Sequence, residues 1–200
     1  MQILRAIVLF LVVGMMSSVA SAASPPVTVI ENLHAKLIET MKQADQLGID
    51  GRYQALQPIL EQSFDFERMI AAAAGSYWTQ ATDAERQRLT EAFTKLSITT
   101  YAARFNGWTG ESFETLGERQ GPRDSVLVDT RLNRPKDPAV PITYVMMETD
   151  GQWRIVDVLL DKSISELAVR RSEYSQVLRT GGPEKLAQVL DEKAAELRKS

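Results

Sequence analysis

VPITYVMMETDGQWRIVDVLLDKSISELAVRRSEY, residues 140–174, decides the class of fold, because its hydrophobic period changes part-way along. Up to Leu160 apolar residues recur with the period of two that a strand requires; beyond Ser163 they recur at helical spacing. Thr149-Asp150-Gly151-Gln152 separates two alternating runs, and Asp-Gly is a strong short-range hairpin signal. Residues 140–149 and 153–160 are therefore read as antiparallel neighbours. In the first strand Val145 and Met147 share one face, with Tyr144, Met146 and Glu148 on the other. In the second, Val156, Val158 and Leu160 oppose Ile155, Asp157 and Leu159. Both faces are largely apolar, which predicts a sheet covered on more than its core side. Ser163-Ile164-Ser165-Glu166 has the form of a capping box. The helix it opens carries Ile164, Leu167, Tyr174 and Leu178 as its buried stripe. Gly181-Gly182 ends it, and Pro183 starts a last helix with Leu186, Leu190 and Leu197 on one face.

Upstream, residues 112–117 and 125–132 alternate in the same way, so four or five strands form a mostly antiparallel meander. Before them the chain is helical. Ile30, Leu33, Leu37, Met41 and Ala44 mark a helix stopped at Gly48, and Pro58 and Phe64 break the next stretch. Asp65 caps a helix that ends at Gly75, with Tyr77 and Trp78 in the connection. Thr82-Asp83-Ala84-Glu85 is a capping box for a long helix to about Phe105. That helix has two apolar stripes, one through Leu89, Phe93 and Leu96, the other through Ile98, Ala102 and Phe105. Burial between layers, or one face lining a cavity, each account for the second stripe. Helices, strands, then helices make an α+β fold: a sheet at 110–160 wrapped by helical parts at 27–106 and 163–199.

The first 22 residues read as a cleaved signal peptide. Arg5 is the one charge, an apolar run of about eleven residues follows, and Ala20-Ser21-Ala22 fits the cleavage pattern. The run is well short of the roughly 20 residues that span a bilayer. An exported, untethered, periplasmic domain over 23–200 is expected. The chain has no cysteine, so neither a disulfide nor a thioether-linked lipid can hold it, and its net charge of −3 argues against a nucleic-acid partner.

Few residues point to catalysis. The sole histidine, His34, follows Asn32 on a helix and is read as a boundary residue; without cysteine, no Cys–His pair or structural zinc site can be built, and no metal or cofactor is expected. Asp129 and Asp157 fall mid-strand, where a buried acid working with Tyr144 or Tyr101 suits acid–base chemistry. Pairing of both with Arg131 and Arg154 is the simpler account. Flexible apolar side chains are plentiful instead. Met69, Met146 and Met147 suit a site for varied apolar ligands, and Tyr77, Trp78, Trp108 and Tyr174 suit the mouth of one.

Two segments carry a resemblance. Residues 51–69 hold Tyr53-x-x-Leu56 and a closing Phe64-Asp65. Residues 153–186 hold Trp153 and Asp157, then Ser165, Arg171, Tyr174, and Gly182 with Leu186. Their order and spacing resemble the periplasmic lipid-carrier family of the Mla pathway and the toluene-tolerance proteins (MlaC-like). The stretches DGRYQAL, YAARFNGWTGESFE and LRTGGPEKL are most similar to its hopanoid-associated branch, HpnM. Ser163-Ile164-Ser165 departs from the family's Gly-Val-Ser. The resemblance implies an NTF2-like sheet and helices around an apolar cavity, and a lipid whose tails are buried and whose head group is exposed. It also implies a monomeric carrier, not an enzyme, that shuttles phospholipid or hopanoid between inner- and outer-membrane transport complexes.

On that reading the strands supply Val145, Met147, Val156 and Val158 to the lipid site, and the helices supply Met69, Phe93, Ile164 and Leu167. A one-residue slip in a strand would reverse the faces. Arg170, Arg171 and Arg179 are candidates for docking or head-group contact, as well as for a solvated face. Two rival functions make different demands: an isoprenoid-processing enzyme needs Asp129 or Asp157 beside Tyr144, and a non-binding adaptor needs a filled interior.

Overall fold

The computed structural model describes residues 25–161 and 163–199; the expected signal peptide lies outside them. Helices α1 (Pro26–Lys42), α2 (Ala44–Ser63), α3 (Phe66–Ala74), α4 (Ser76–Gln80) and α5 (Asp83–Arg104) precede the sheet. Strands β1 (Ser112–Gln120), β2 (Val126–Asn133), β3 (Val140–Thr149), β4 (Gln152–Leu160) and β5 (Ile164–Ser165) follow, and α6 (Glu166–Leu197) closes the chain. The five strands pair in sequence order, every pair antiparallel. The α+β class and the meander agree with the sequence reading.

Local signals act as their chemistry requires. At the head of α5, Thr82 Oγ1 accepts from Glu85 N at 3.3 Å while Thr82 N donates to the Glu85 carboxylate at 2.8 Å. Asp65 Oδ1 accepts from Arg68 N at 3.0 Å to start α3, and Gly75 ends that helix at φ +58°, a backbone state that costs glycine little. Gly182, at φ +68°, kinks α6 ahead of Pro183.

Four expectations are corrected. The first helix ends at Lys42 rather than at Gly48; Ala44 opens α2, and Gly48 (φ +58°) kinks that helix instead of stopping the one before it. Pro58 does not break α2, which runs on to Ser63. Leu56 and Leu60 on either side of it are fully buried, and that packing outweighs one lost backbone bond. Tyr77 and Trp78 form the short helix α4. The Ser163 capping box does not form. Ser163 lies in the turn after β4, Ile164 and Ser165 pair with β4 as β5, and Ser165 becomes the cap of α6 by accepting from Ala168 N at 2.9 Å.

One core joins helices and sheet. Leu33 and Leu37 of α1, Leu89 and Ile98 of α5 and Leu186 and Leu190 of α6 are all fully buried. Arg52 is drawn inside to serve the backbone: its Nε donates to Ala102 O at 2.7 Å and its Nη1 to Ala44 O at 2.9 Å. It thereby pins the α1–α2 corner to the end of α5. The α2–α3 corner docks on β4 through Asp65 N, which donates to Ile155 O at 2.9 Å.

The face assignment within the hairpin turns on a bulge. Tyr144 pairs with Val158 and Val145 with Asp157, but Met146 pairs with Ile155, so Val156 is an extra residue in β4. The core-facing set is therefore Ile142, Tyr144 and Met146 in β3, and Leu160, Val158 and Ile155 in β4. The parity of β4 switches at Val156, which strict alternation does not anticipate.

Candidate functional site

A cleft of about 430 Å³ opens between the concave face of the sheet and α5. From α5 come Ser97, Thr100, Tyr101, Arg104 and Phe105, the i, i+3, i+4, i+7, i+8 spacing of one helix face. The strands add Leu132, Ile142, Tyr144, Val158 and Leu160, and the α2–α3 corner adds Phe64, Phe66 and Met69. Of the second stripe, Ile98 and Ala102 are buried between layers and only Phe105 reaches the cleft, whose α5 face is a third one.

Aromatic packing makes the floor rigid. Phe64 stacks on Phe66 with centroids 5.3 Å apart, and Tyr101 meets Phe64 edge-on at 5.7 Å. Burial pushes the Tyr101 phenol well up from its ordinary pKa, while the charges of Arg170 and Arg104 pull it part-way back. Burial also raises Tyr144 far above its ordinary range. Both hydroxyls are neutral at any physiological pH.

His34 is not the boundary residue its polar neighbours suggested. It is 5% exposed and shares a 3.0 Å hydrogen bond with Tyr144 Oη through Nε2. Its ring stacks on Phe113 of β1 with centroids 3.9 Å apart. Desolvation brings its pKa down to about 3, so it is a neutral imidazole. The His34–Tyr144 contact forms the wall between the cleft and an outer groove of about 630 Å³ that holds Glu31, Lys42 and Trp108. That groove is larger but more open and more charged. Trp108 is 44% exposed there, with Lys42 Nζ 4.9 Å from its ring.

Of the expected lipid-site residues, Met69 and Val158 line the cleft. Phe93 lies one layer behind, edge-on to Phe66 at 6.1 Å and under the Arg170 guanidinium. Val145 and Met147 occupy the opposite face of β3, where Arg68 Nη1 reaches the Met147 sulfur at 3.5 Å. Val156 is the bulge residue and is buried away from the cleft. Ile164 is half exposed in β5, and Leu167 packs on the core, its N–H donating to Asp157 Oδ1 at 3.1 Å. Phe64, Phe66, Tyr101, Phe105 and Ile142 escaped the sequence reading of the site. The α5 spacing 97-100-101-104-105 was a signal that could have found two of them.

The strand carboxylates have other work. Asp129 accepts from Arg119 Nε at 2.9 Å and from Thr143 Oγ1 at 2.6 Å. Asp157 accepts from Ser165 Oγ at 2.6 Å and from the backbone N–H of Val158 and Leu167. The expected partners differ: Arg131 instead binds Glu114. Both aspartates share the β3 face of Thr143 and Val145, opposite Tyr144, so the Asp–Tyr pair of an acid–base enzyme is not assembled. Among the described residues no cluster of His, Cys, Asp or Glu is suited to a metal ion, and no helix is long and apolar enough to cross a membrane.

The sequence matches the family described as MlaC protein over residues 31–192, which takes in every element but the first turn of α1 and the end of α6. The chain belongs to the MlaC family. Among solved structures, its fold is similar to that of a phospholipid-binding protein from Ralstonia solanacearum, determined in complex with a phospholipid. The TM-score is 0.74 at 22% identity, over 85% of this chain and 97% of that one. No curated protein matches the sequence.

Proposed function

We propose that this MlaC-family chain is a periplasmic carrier that takes a lipid tail into the α5–sheet cleft and moves lipid between the inner and outer membranes. The observation that carries the reading is an apolar, aromatic-floored cleft inside the fold, with charged residues at one end. Binding of phospholipid by a protein of the same fold supports it. The cleft's 430 Å³ holds about 14 methylene-sized groups at ~30 Å³ each. One acyl chain fits that space; two do not without the walls parting. At ~0.8 kcal/mol per methylene, burial of such a chain is worth about 11 kcal/mol gross, close to what the bilayer gives it. Near-balance of this kind lets a carrier load and unload.

A hopanoid-type cargo remains the second reading, supported by the HpnM-like wording of residues 153–186. The filled interior required by an adaptor is at odds with the cleft, and the separated Asp129, Asp157 and Tyr144 are at odds with an isoprenoid enzyme.

The test is native mass spectrometry of protein taken from its own periplasm, with organic extraction of what it carries. Co-purifying phospholipid or hopanoid is expected. A clean lipid-free mass, with no uptake from mixed liposomes, would sink the carrier reading.

A further inference from the structure

We infer that the cleft selects lipids with an acidic head group, through a guanidinium trio formed by Arg104, Arg134 and Arg170. The inference rests on the carrier reading and goes beyond it, by naming the head-group chemistry the site prefers. Three different elements converge there: Arg104 comes from the last turn of α5, Arg134 follows β2, and Arg170 lies in the second turn of α6. All three border the same cleft whose floor is apolar.

The trio is held in place but not neutralised. Arg134 donates through Nε and Nη2 to Pro138 O at 3.0 and 2.7 Å, which fixes its plane and leaves Nη1 to donate elsewhere. Arg170 donates through Nη1 to Tyr174 Oη at 3.2 Å and lies over the Phe93 ring at 5.4 Å. Arg104 is exposed. Among the described residues none of the three is ion-paired, whereas Arg88, Arg119 and Arg131 each have a carboxylate within 4 Å. Two carboxylates also border the cleft. Both oxygens of Glu111 are engaged by Thr109, its N at 2.6 Å and its Oγ1 at 2.8 Å, and Glu166 sits in the first turn of α6. Among the described residues that line the cleft three cations face two anions, in a chain whose overall charge is −3; Glu173, Glu196 and Lys193 border the adjoining groove that shares Arg104 and Arg170.

The positive field reaches inward. At the Tyr101 hydroxyl, Arg170 and Arg104 act against the desolvation that raises the phenol, and Glu166 only partly offsets them. A phosphodiester or carboxylate carries the charge and the acceptor oxygens that planar guanidinium forks match. A zwitterionic head brings its own cation into this field and gains less. Neutral polyol heads gain only hydrogen bonds.

Delipidated protein, offered vesicles of equal phosphatidylglycerol and phosphatidylcholine, reads the preference as a ratio of loaded masses in a single sample. The expected ratio favours phosphatidylglycerol about tenfold, equivalent to ~1.4 kcal/mol, and shrinks at high salt as partly exposed charges are screened. In Arg104→Gln and Arg134→Gln the ratio should fall towards one. Because each is compared within one sample, a loss of folded protein does not mimic that change. Equal loading of both lipids by the unaltered protein overturns the head-group inference and leaves the carrier reading standing; loading of neither overturns both. Inorganic phosphate, offered without lipid, separates the sources of the anion. Displacement of loaded phosphatidylglycerol by millimolar phosphate would make this a free-anion site and refute the lipid assignment.

Discussion

Acidification from pH 7 to pH 5 should destabilise the folded protein by about 2 kcal/mol through His34 alone. The imidazole is 5% exposed, stacked on Phe113 and bonded to Tyr144, with its pKa lowered from 6.5 to about 3 by desolvation. A folded-state value below the unfolded one means that the unfolded chain binds the proton first. The stability His34 contributes is therefore complete above pH ~6.5 and is lost as pH falls towards 3, at ~1.4 kcal/mol per unit. Between pH 7 and 5 the loss integrates to about 2 kcal/mol. The charged groups bordering the same groove are Glu31, Lys42 and Glu111, the last held below its ordinary value by hydrogen bonds from the Thr109 backbone. Carboxylates add acid sensitivity of their own lower down. Asp191, for example, is pushed up by burial yet held below its ordinary value by hydrogen bonds from Lys95 and Arg88. Comparison with His34→Gln cancels those contributions, because glutamine stays neutral and polar while the rest of the chain is unchanged. Urea unfolding at pH 7, 6 and 5 checks this: the parent should lose about 2 kcal/mol more than the variant. Parallel losses in the two proteins would refute a buried neutral histidine.

Three further outcomes follow from the geometry. Val158→Glu places a carboxylate in the cleft and should abolish lipid loading, whereas Val145→Glu, on the other face of the sheet, should load normally; native mass spectrometry of both after exposure to liposomes decides, and a reversed result would mean the bulge at Val156 is misplaced. Asp157→Ala removes the acceptor for Ser165 Oγ and Leu167 N and should cost about 2 kcal/mol, lowering Tm by ~4–8 °C in calorimetry. An unchanged Tm would show that the strand aspartate does not anchor α6. Arg52→Met should cost about 3 kcal/mol in denaturant titration, since the carbonyls of Ala44 and Ala102 lose a buried charged donor; a loss under 1 kcal/mol would show that water replaces it.

How far the fold could be read depended on the range of the interaction that decides each feature. Thr82 with Glu85, Asp65 with Arg68 N, and Asp150-Gly151 between β3 and β4 act within a few residues, and each does in three dimensions what its spacing foretold. Pro58 and Ser163 went the other way because packing and strand pairing decide them: buried Leu56 and Leu60 carry α2 through Pro58, and β4 captures Ile164-Ser165. The lipid site was harder still. Only part of it was visible, in Met69 and Val158, and the rest depends on which residue of β4 is skipped. Val156 leaves no mark in the alternation, because valine on either side of Asp157 satisfies a period of two, and the extra residue appears only when Met146 is seen opposite Ile155. His34 illustrates the same limit for chemistry. Its polar neighbour Asn32 lies on another face of α1, and the partners that bury it, Phe113 and Tyr144, arrive from far along the chain. The arginine trio is the strongest case, with members 30 and 36 residues apart along the chain that nothing local connects. Only the packing of α6 against α5 brings Arg170 to the cleft that Arg104 and Arg134 also border.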